Sequence, residues 1–306
     1  MEFGWLEDFL ALAEHGSFSR AAEHRRVSQS AFSRRIRMLE AWIGVTLVNR
    51  DTHRVALTPA GEEWKSVCEE LLRSLAQGRD RTREMADGAA STIRFASTHA
   101  LSMTLFPGWF DGIEPALPDR SSISLVTDNM VGCERLMLLG QAHLLLCHHH
   151  PSSATALSER QFTSLDIGED RLTPVSAPDG AGQALYRLPG SRSRPVSYLA
   201  YSDRSGMGRI LEATGDNDRP AAWLAPVFTA HVATVLASMA RSGRGLAWLP
   251  ASLIAGDLEA GRLVRAGEAE WDTSMTVRLY RPRARQNPSV EALWEAARGL
   301  NAKRGP

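Results

Sequence analysis

Charge of either sign is not in excess in this sequence: 35 basic and 35 acidic side chains give a formal net charge of zero, so the field of the whole molecule does not announce a nucleic-acid partner. Cysteine is scarce. Cys68, Cys133 and Cys147 are too few for a disulfide framework. No apolar run is long enough to cross a bilayer, so no membrane partner is expected. Met1-Glu2-Phe3-Gly4-Trp5 lacks the basic region of a secretory signal, and a cytoplasmic protein is expected. There is no Gly-x-Ser-x-Gly elbow, no Walker loop and no His-Glu-x-x-His, which removes the commonest hydrolase and nucleotidase chemistries and leaves no cofactor motif. A chain of 306 residues is long for one core, so two or three domains are expected.

What is present is concentrated between Ser17 and Arg50. Ser19–Arg25 reads as a short helix whose Ala21 and Ala22 allow a second helix to cross closely. Arg26, Val27 and Ser28 form a tight connection, and Ser28 or Ser30 is placed to cap the helix that follows. From Gln29 to Trp42 apolar residues recur at three- and four-residue spacing through Phe32, Ile36 and Leu39 to Ile43, leaving Gln29, Ser30, Ser33, Arg34 and Arg37 on another face. Gln and Arg at the start of such a helix suit bidentate contacts to base edges in the major groove. Between Arg20 and Arg54 eight arginines face only Glu23, Glu40 and Asp51, a local net charge of +5 that matches a phosphate backbone. Arg-rich helix faces are usually just solvated. Here charge, small-residue packing, a short turn and a following hairpin coincide, and double-stranded DNA is the expected partner.

The motifs Ser17-Phe18-Ser19, Ala21-Ala22, Val27-Ser28-Gln29, Ser33, Ile36, Leu39-Glu40, Gly44-Val45, Leu47, Leu57-Thr58 and Gly61 closely resemble the amino-terminal domain of LysR-type transcriptional regulators. The resemblance implies a winged helix-turn-helix over residues 1–58, with DNA contacts from Arg20, Ser28, Gln29, Ser30, Ser33, Arg34, Arg37, Arg50 and Arg54. Two positions depart from the family. Arg25 stands where a core leucine is usual and Val48 where the wing carries phenylalanine, which predicts a weaker hydrophobic seal.

Before this stretch, Trp5, Leu6, Phe9, Leu10, Leu12 and Ala13 form a helical core stripe. After it, Arg54–Leu57 pairs with Thr46–Arg50 around Asp51-Thr52-His53, and Pro59 opens a long helix striped with Trp64, Val67, Leu71 and Leu75. Such a stripe without a partner in its own domain is explained by pairing with a second copy, so a homodimer is expected, with a tetramer beyond it. Residues 59–91 form this linker. From Thr92 strand-like and helix-like runs alternate, as in a largely parallel sheet with crossover helices. Strands are expected at Ile93–Ser97, Ile123–Thr127, His143–Cys147, Leu172–Ser176, Val196–Tyr201, Trp223–Phe228, Gly245–Leu249 and Met275–Tyr280. The fold class is therefore α/β, and residues 92–306 resemble the family's two-lobed effector domain, itself similar to periplasmic binding proteins. By that likeness residues 92–165 and 273–306 form one lobe and 166–272 the other.

Ligands of open α/β sheets sit beyond the carboxyl ends of the strands. The candidate effector residues are Thr98, His99, Leu101, Ser102, Met103, Thr127, Asp128, Cys147 and His148 from one lobe. Ser202, Arg204, Ser205, Met207, Ala230 and His231 come from the other. A polar residue at a strand end is more often a cap than a ligand, so each carries little by itself. His148-His149-His150 suggests a metal, but neighbours on an extended chain point to opposite sides and cannot readily share an ion. A mixture of His99, His148 and His231, in a metal-binding protein or enzyme built on the same lobes, stays open. Tyr201-Ser202, Arg204 to Arg209, Gly245 to Pro250 and Asn287-Pro288 further resemble a hypochlorite-responsive subgroup of the family, in which methionine oxidation activates the protein. Met207 matches that motif. It is equally explained as a residue filling the cleft wall.

Overall fold

The computed structural model describes residues 2–49, 55–87, 92–118, 121–215 and 220–304. The chain divides into two compact units, Met1–Asp80 with Leu138–Gly140, and Arg81–Met137 with Gln141–Pro306.

In the first unit α1 (Phe3–His15), α2 (Phe18–His24) and α3 (Gln29–Ile43) pack around Phe9, Leu12, Ala21, Ala22, Phe32, Ile36 and Leu39. The α2–α3 connection is tightened by Arg26, at φ 54°, and by the Val27 amide donating to the Ala22 carbonyl at 3.0 Å. Ser28 caps α3, its Oγ accepting from the Ala31 amide at 3.3 Å. The wing pairs β1 (Val48–Asn49) with β2 (Ala56–Leu57), and α4 runs unbroken from Pro59 to Asp87. The Leu57-Thr58-x-x-Gly61 motif has a physical reading. Thr58 Oγ1 accepts from the Gly61 amide at 3.0 Å, and a Cβ on Gly61 would overlap the Leu47 carbonyl oxygen, so only glycine lets α4 approach the wing.

The expected weak seal at Arg25 is replaced by an ion pair. Arg25 donates to Asp8 at 2.7 Å and to Glu7 at 2.6 Å, and Arg35 donates to Asp8 at 3.1 Å, so one fully buried carboxylate ties α1 to α2 and α3. Val48 is buried despite its smaller size.

In the second unit the chain runs β3 (Thr92–Thr98), α5 (His99–Thr104), α6 (Phe106–Asp111), β4 (Ser122–Asp128), α7 (Met130–Leu138), β5 (Leu144–His149) and β6 (Phe162–Ser176). It continues through β7 (Val196–Tyr201), α8 (Gly206–Gly215), β8 (Leu224–Ala230), α9 (Ala233–Arg241), β9 (Ala247–Pro250) and α10 (Ala251–Glu259). β10 (Val264–Arg265), β11 (Thr273–Pro282) and α11 (Pro288–Arg304) complete it. The large sheet has the order β10-β6-β11-β5-β3-β4, with β9 also paired to β6, and β7 lies parallel to β8 in a separate pair.

Two hydrophobic cores result. One gathers Ile93, Phe95, Trp109, Leu144, Val277 and Trp294; the other gathers Leu172, Leu199, Leu236, Trp248, Ile254 and Met275. The long antiparallel strands β6 and β11 serve both, changing core between Ile167 and Leu172 and between Met275 and Val277. This corrects the expectation of a strand beginning at Leu172: β6 starts at Phe162, and the charged run Glu169-Asp170-Arg171 lies within it, paired with β11. The sequence predicts one helix over Leu101–Ile113, and the structure has two, because Pro107 has no N–H to donate one turn back.

Candidate DNA-reading face and effector cleft

On the first unit Arg20, Ser28, Gln29, Ser30, Arg34 and Arg37 are exposed and Ser33 is half-buried. Arg34 and Arg37 make no ion pair among the described residues, and the Arg37 guanidinium reaches only the Ser33 carbonyl at 3.4 Å. Arg35, from the same helix, is instead turned to Asp8. The face expected to read DNA is thus made of residues that the packing of α3 leaves exposed. Arg50, His53 and Arg54 lie outside the described residues. On α4, Leu71 and Leu75 are 41% and 55% exposed, while Trp64 and Val67 are half-buried and Trp64 packs near Trp42, ring centroids 6.2 Å apart.

In the second unit a cleft of about 410 Å³, counting its mouth, opens between the two cores. Thr98 and His99 line it where β3 meets α5, Asp128, Asn129 and Met130 where β4 meets α7, and His148 from the end of β5. Ser205, Gly206 and Met207 face them from the start of α8, and His231 and Ala233 from the start of α9. The chain places these residues together because the parallel strands β3, β4 and β5 of the large sheet, and β7 and β8 of the separate pair, all deliver their carboxyl ends to the cleft.

The other expected positions stand differently. Leu101 is buried in the core of the first lobe, Ser102 donates to the His99 carbonyl at 2.9 Å, and Met103 and Thr127 are exposed. Arg204 is exposed, and Ala230 packs on the core of the second lobe. Cys147 lines a smaller adjoining cavity with His149, Arg209 and Tyr280. Ser202 is half-buried, and its Oγ has no hydrogen-bond partner.

Close approach explains the Gly206-Met207-Gly208 spacing. A Cβ on Gly206 would press on Met130 at 3.3 Å, and one on Gly208 would meet the Ser202 carbonyl oxygen at 2.8 Å. The neighbouring Arg209 reaches across to Glu134, which is buried on α7, at 3.0 Å, and Glu134 also accepts from Thr155 Oγ1 and the Ala156 amide. Met207 is buried in the second core while also facing the cleft.

Chemically the cleft is rich in hydrogen-bonding groups that have no protein partner. Thr98 Oγ1 and His148 Nδ1 are both buried and have no hydrogen-bond partner among the described residues. His148 Nε2, by contrast, is 3.1 Å from Asp170 Oδ2. Asp128 spends its charge on a helix start, with Oδ1 accepting from the Asn129 amide at 2.7 Å and from Asn129 Nδ2 at 2.9 Å. Burial pushes all three thiols up: Cys68 and Cys133 to about 12, and Cys147 higher still, with Cys133 and Glu134 adding to the effect on Cys147. Protonated thiols are poor nucleophiles. No group of three His, Cys, Asp or Glu side chains among the described residues is arranged to hold a metal ion. No helix among them is long and apolar enough to cross a membrane.

Asp170, Ser252, Glu134 and Asp8 were not among the expected functional or core residues. Acidic residues in charged runs carry no local sign that tertiary packing will bury them.

Residues 3–62 match the family model described as a bacterial regulatory helix-turn-helix protein of the lysR family, and residues 86–302 match the LysR substrate binding domain. The HTH-type transcriptional regulator YjiE of Escherichia coli (strain K12) is 33% identical over 98% of this chain and 95% of its own. The full-length structure of HypT from Salmonella typhimurium, a hypochlorite-specific LysR-type transcriptional regulator, is 30% identical, covers 99% of both chains and superposes with a TM-score of 0.59. Vibrio fischeri DarR, solved in complex with DNA, is 29% identical with a TM-score of 0.55 over 97% of this chain and 98% of its own. A bromide-bound regulatory domain of HypT covers 70% of this chain and 97% of its own, at 25% identity and a TM-score of 0.57.

Proposed function

Because the chain belongs to the LysR family of helix-turn-helix transcriptional regulators, which bind DNA, respond to small-molecule effectors and act as oligomers, we propose that it is a cytoplasmic regulator controlled by an oxidant, hypochlorite or one like it, sensed in the cleft. Its DNA-binding domain spans residues 1–58, its dimerising helix and hinge 59–91 and its effector domain 92–306. Gln29, Ser33, Arg34 and Arg37 read the operator, Leu71 and Leu75 carry the contact with a second copy, and the dimer pairs further into a tetramer. The observation that carries the sensing proposal is that Met207, though buried, lines the cleft with a thioether that has no proton to lose, whereas burial pushes the thiol of Cys147, in the adjoining cavity, toward its unreactive protonated form. The likeness to HypT supports the choice of oxidant.

In the step proposed, hypochlorous acid transfers its oxygen to the Met207 sulfur, forming the sulfoxide, and leaves as chloride and a proton. The new S=O is a strong acceptor in a cleft wall that also carries Ser205, and it changes the relative stability of two lobe arrangements. The test compares hypochlorite-dependent promoter activity in the wild type, Met207→Ile and Cys147→Ser. Loss of response in Met207→Ile alone is expected. A fully responsive Met207→Ile beside a dead Cys147→Ser would replace the methionine by a thiol sensor, and full response in both would make the effector an unmodified ligand bound between the lobes. Gln29→Ala and Arg34→Ala are expected to lower operator affinity by about 1–3 kcal/mol each if they bond base edges.

A further inference from the structure

Resting on the cleft as the effector site, we propose that it takes up a small anion together with one proton, which His148 receives at Nδ1 while Asp170 holds the opposite ring nitrogen. His148 and Asp170 belong to different strands, β5 and β6, and their side chains are only 2% and 4% exposed. Asp170 is itself fastened: Ser252 Oγ donates to Oδ2 at 2.5 Å, and the amides of Ser252 and Arg171 donate to Oδ1 at 3.2 and 2.8 Å. Burial alone would raise its pKa, but these donors and the imidazole outweigh burial and hold the carboxyl below the usual carboxylate range. Asp170 is therefore a carboxylate at neutral pH, and the imidazole nitrogen facing it carries the N–H. The proton that comes and goes is then the one on Nδ1.

That nitrogen, on a residue that lines the cleft, is buried and has no hydrogen-bond partner among the described residues; Thr98 Oγ1, on another lining residue, is in the same condition. With neutral imidazole, Nδ1 presents a lone pair that repels an anion. With imidazolium it presents a second N–H, and Thr98 adds a hydroxyl donor. The other charged and titratable groups on the surrounding elements are consistent with this. His99 from α5 and His231 ahead of α9 line the cleft, and Asp128 ahead of α7 is occupied by Asn129. Glu134 on α7 and Arg209 on α8 are paired with each other, while Arg278 on β11 is paired with Asp166 beside Tyr280 and His149. Asp170 is thus the one carboxylate bonded to His148, and it serves to position the ring rather than to touch the ligand.

Bromide is the probe, because its own charge does not change with pH. Calorimetry of the wild-type protein in buffers of different ionisation enthalpy is expected to report close to one proton taken up per bromide. Affinity should fall as pH rises, approaching roughly tenfold for each pH unit, the limit for one linked proton. His148→Gln should abolish the proton uptake and the pH dependence together. Asp170→Asn should shift the pH profile to lower pH, which a merely structural loss would not do. Bromide binding by the wild type with no proton uptake, or by His148→Gln with the uptake intact, would overturn the inference, and the first measurement needs no variant to fold. A wild type that binds no bromide but still answers hypochlorite at its promoter would sink the anion and proton inference while leaving the sensing proposal standing; silence in both would remove both.

Discussion

In each unit a carboxylate side chain is held out of water where helices or strands from different parts of the chain converge, Asp8 in the first and Asp170 in the second, and the two are held by different partners. Asp8 is held by Arg25 and Arg35, whose charges do not change at any physiological pH. Asp170 is held by His148 and Ser252, one titratable and one neutral. The first arrangement locks three helices and leaves Gln29, Arg34 and Arg37 of α3 exposed. The second leaves an imidazole with one committed and one open nitrogen, so its state depends on what enters the cleft. A buried charge fixes structure when its partner is permanent and couples to solution conditions when its partner can lose a proton.

The comparison can be broken most severely at Arg25. Arg25→Ala would leave Asp8 buried with Arg35 as its one remaining ion-pair partner, and a loss of about 2–3 kcal/mol in urea unfolding of the first unit is expected, with no pH dependence between about pH 6 and pH 8. Replacing both groups by leucine removes the charge as well as its partner. Asp8→Leu with Arg25→Leu should therefore recover most of that loss, and a double variant no more stable than Arg25→Ala would show that the ion pair does more than fill the leucine position of the family.

At Asp170 the expected effect is smaller and depends on pH. Because its folded-state pKa lies below its unfolded value, Asp170 adds stability that is present above about pH 4 and is lost as pH falls through the folded pKa. Asp170→Asn should destabilise the effector domain by about 1–2 kcal/mol at neutral pH and flatten the acid limb of its stability profile; an unchanged limb would place the acid sensitivity at other carboxylates such as Asp166 or Asp257, whose pKa values are also lowered. The smallest change is expected for Ser252→Ala, about 1 kcal/mol for one lost hydrogen bond, with the acid limb kept because His148 still holds Asp170.

The first unit was largely legible in advance because its signals are local. Ser28 caps the helix that its position marks, Ala21 and Ala22 are buried, and Gln29, Arg34 and Arg37 are left exposed by the same periodicity that buries Phe32, Ile36 and Leu39. Even there Arg25 reads as a missing leucine until Asp8, seventeen positions away, is seen beneath it. In the second unit the alternation of strands and helices brought Thr98, His99, Asp128, His148, Ser205, Met207 and His231 to one cleft, as strand-end positions in a parallel sheet must be. The beginning of β6 was hidden because Gly168 and the three consecutive charged residues Glu169, Asp170 and Arg171 interrupt its apolar pattern.

What the sequence determined by itself is therefore what short-range physics controls: helix periodicity, caps, the glycines at close approaches and the edge of the sheet at which loops gather. What only the tertiary structure decided is which polar atoms lose water and which partners they find. Asp170 sits in a run that any sequence reading assigns to solvent, and it is buried only because β11 and α10 close over β6 and bring Ser252 within 2.5 Å. The cost of desolvating a carboxylate depends on every surrounding atom, and those atoms come from positions as far apart as His148 and Ser252, so neither the burial nor the open nitrogen it creates could be read from spacing along the chain.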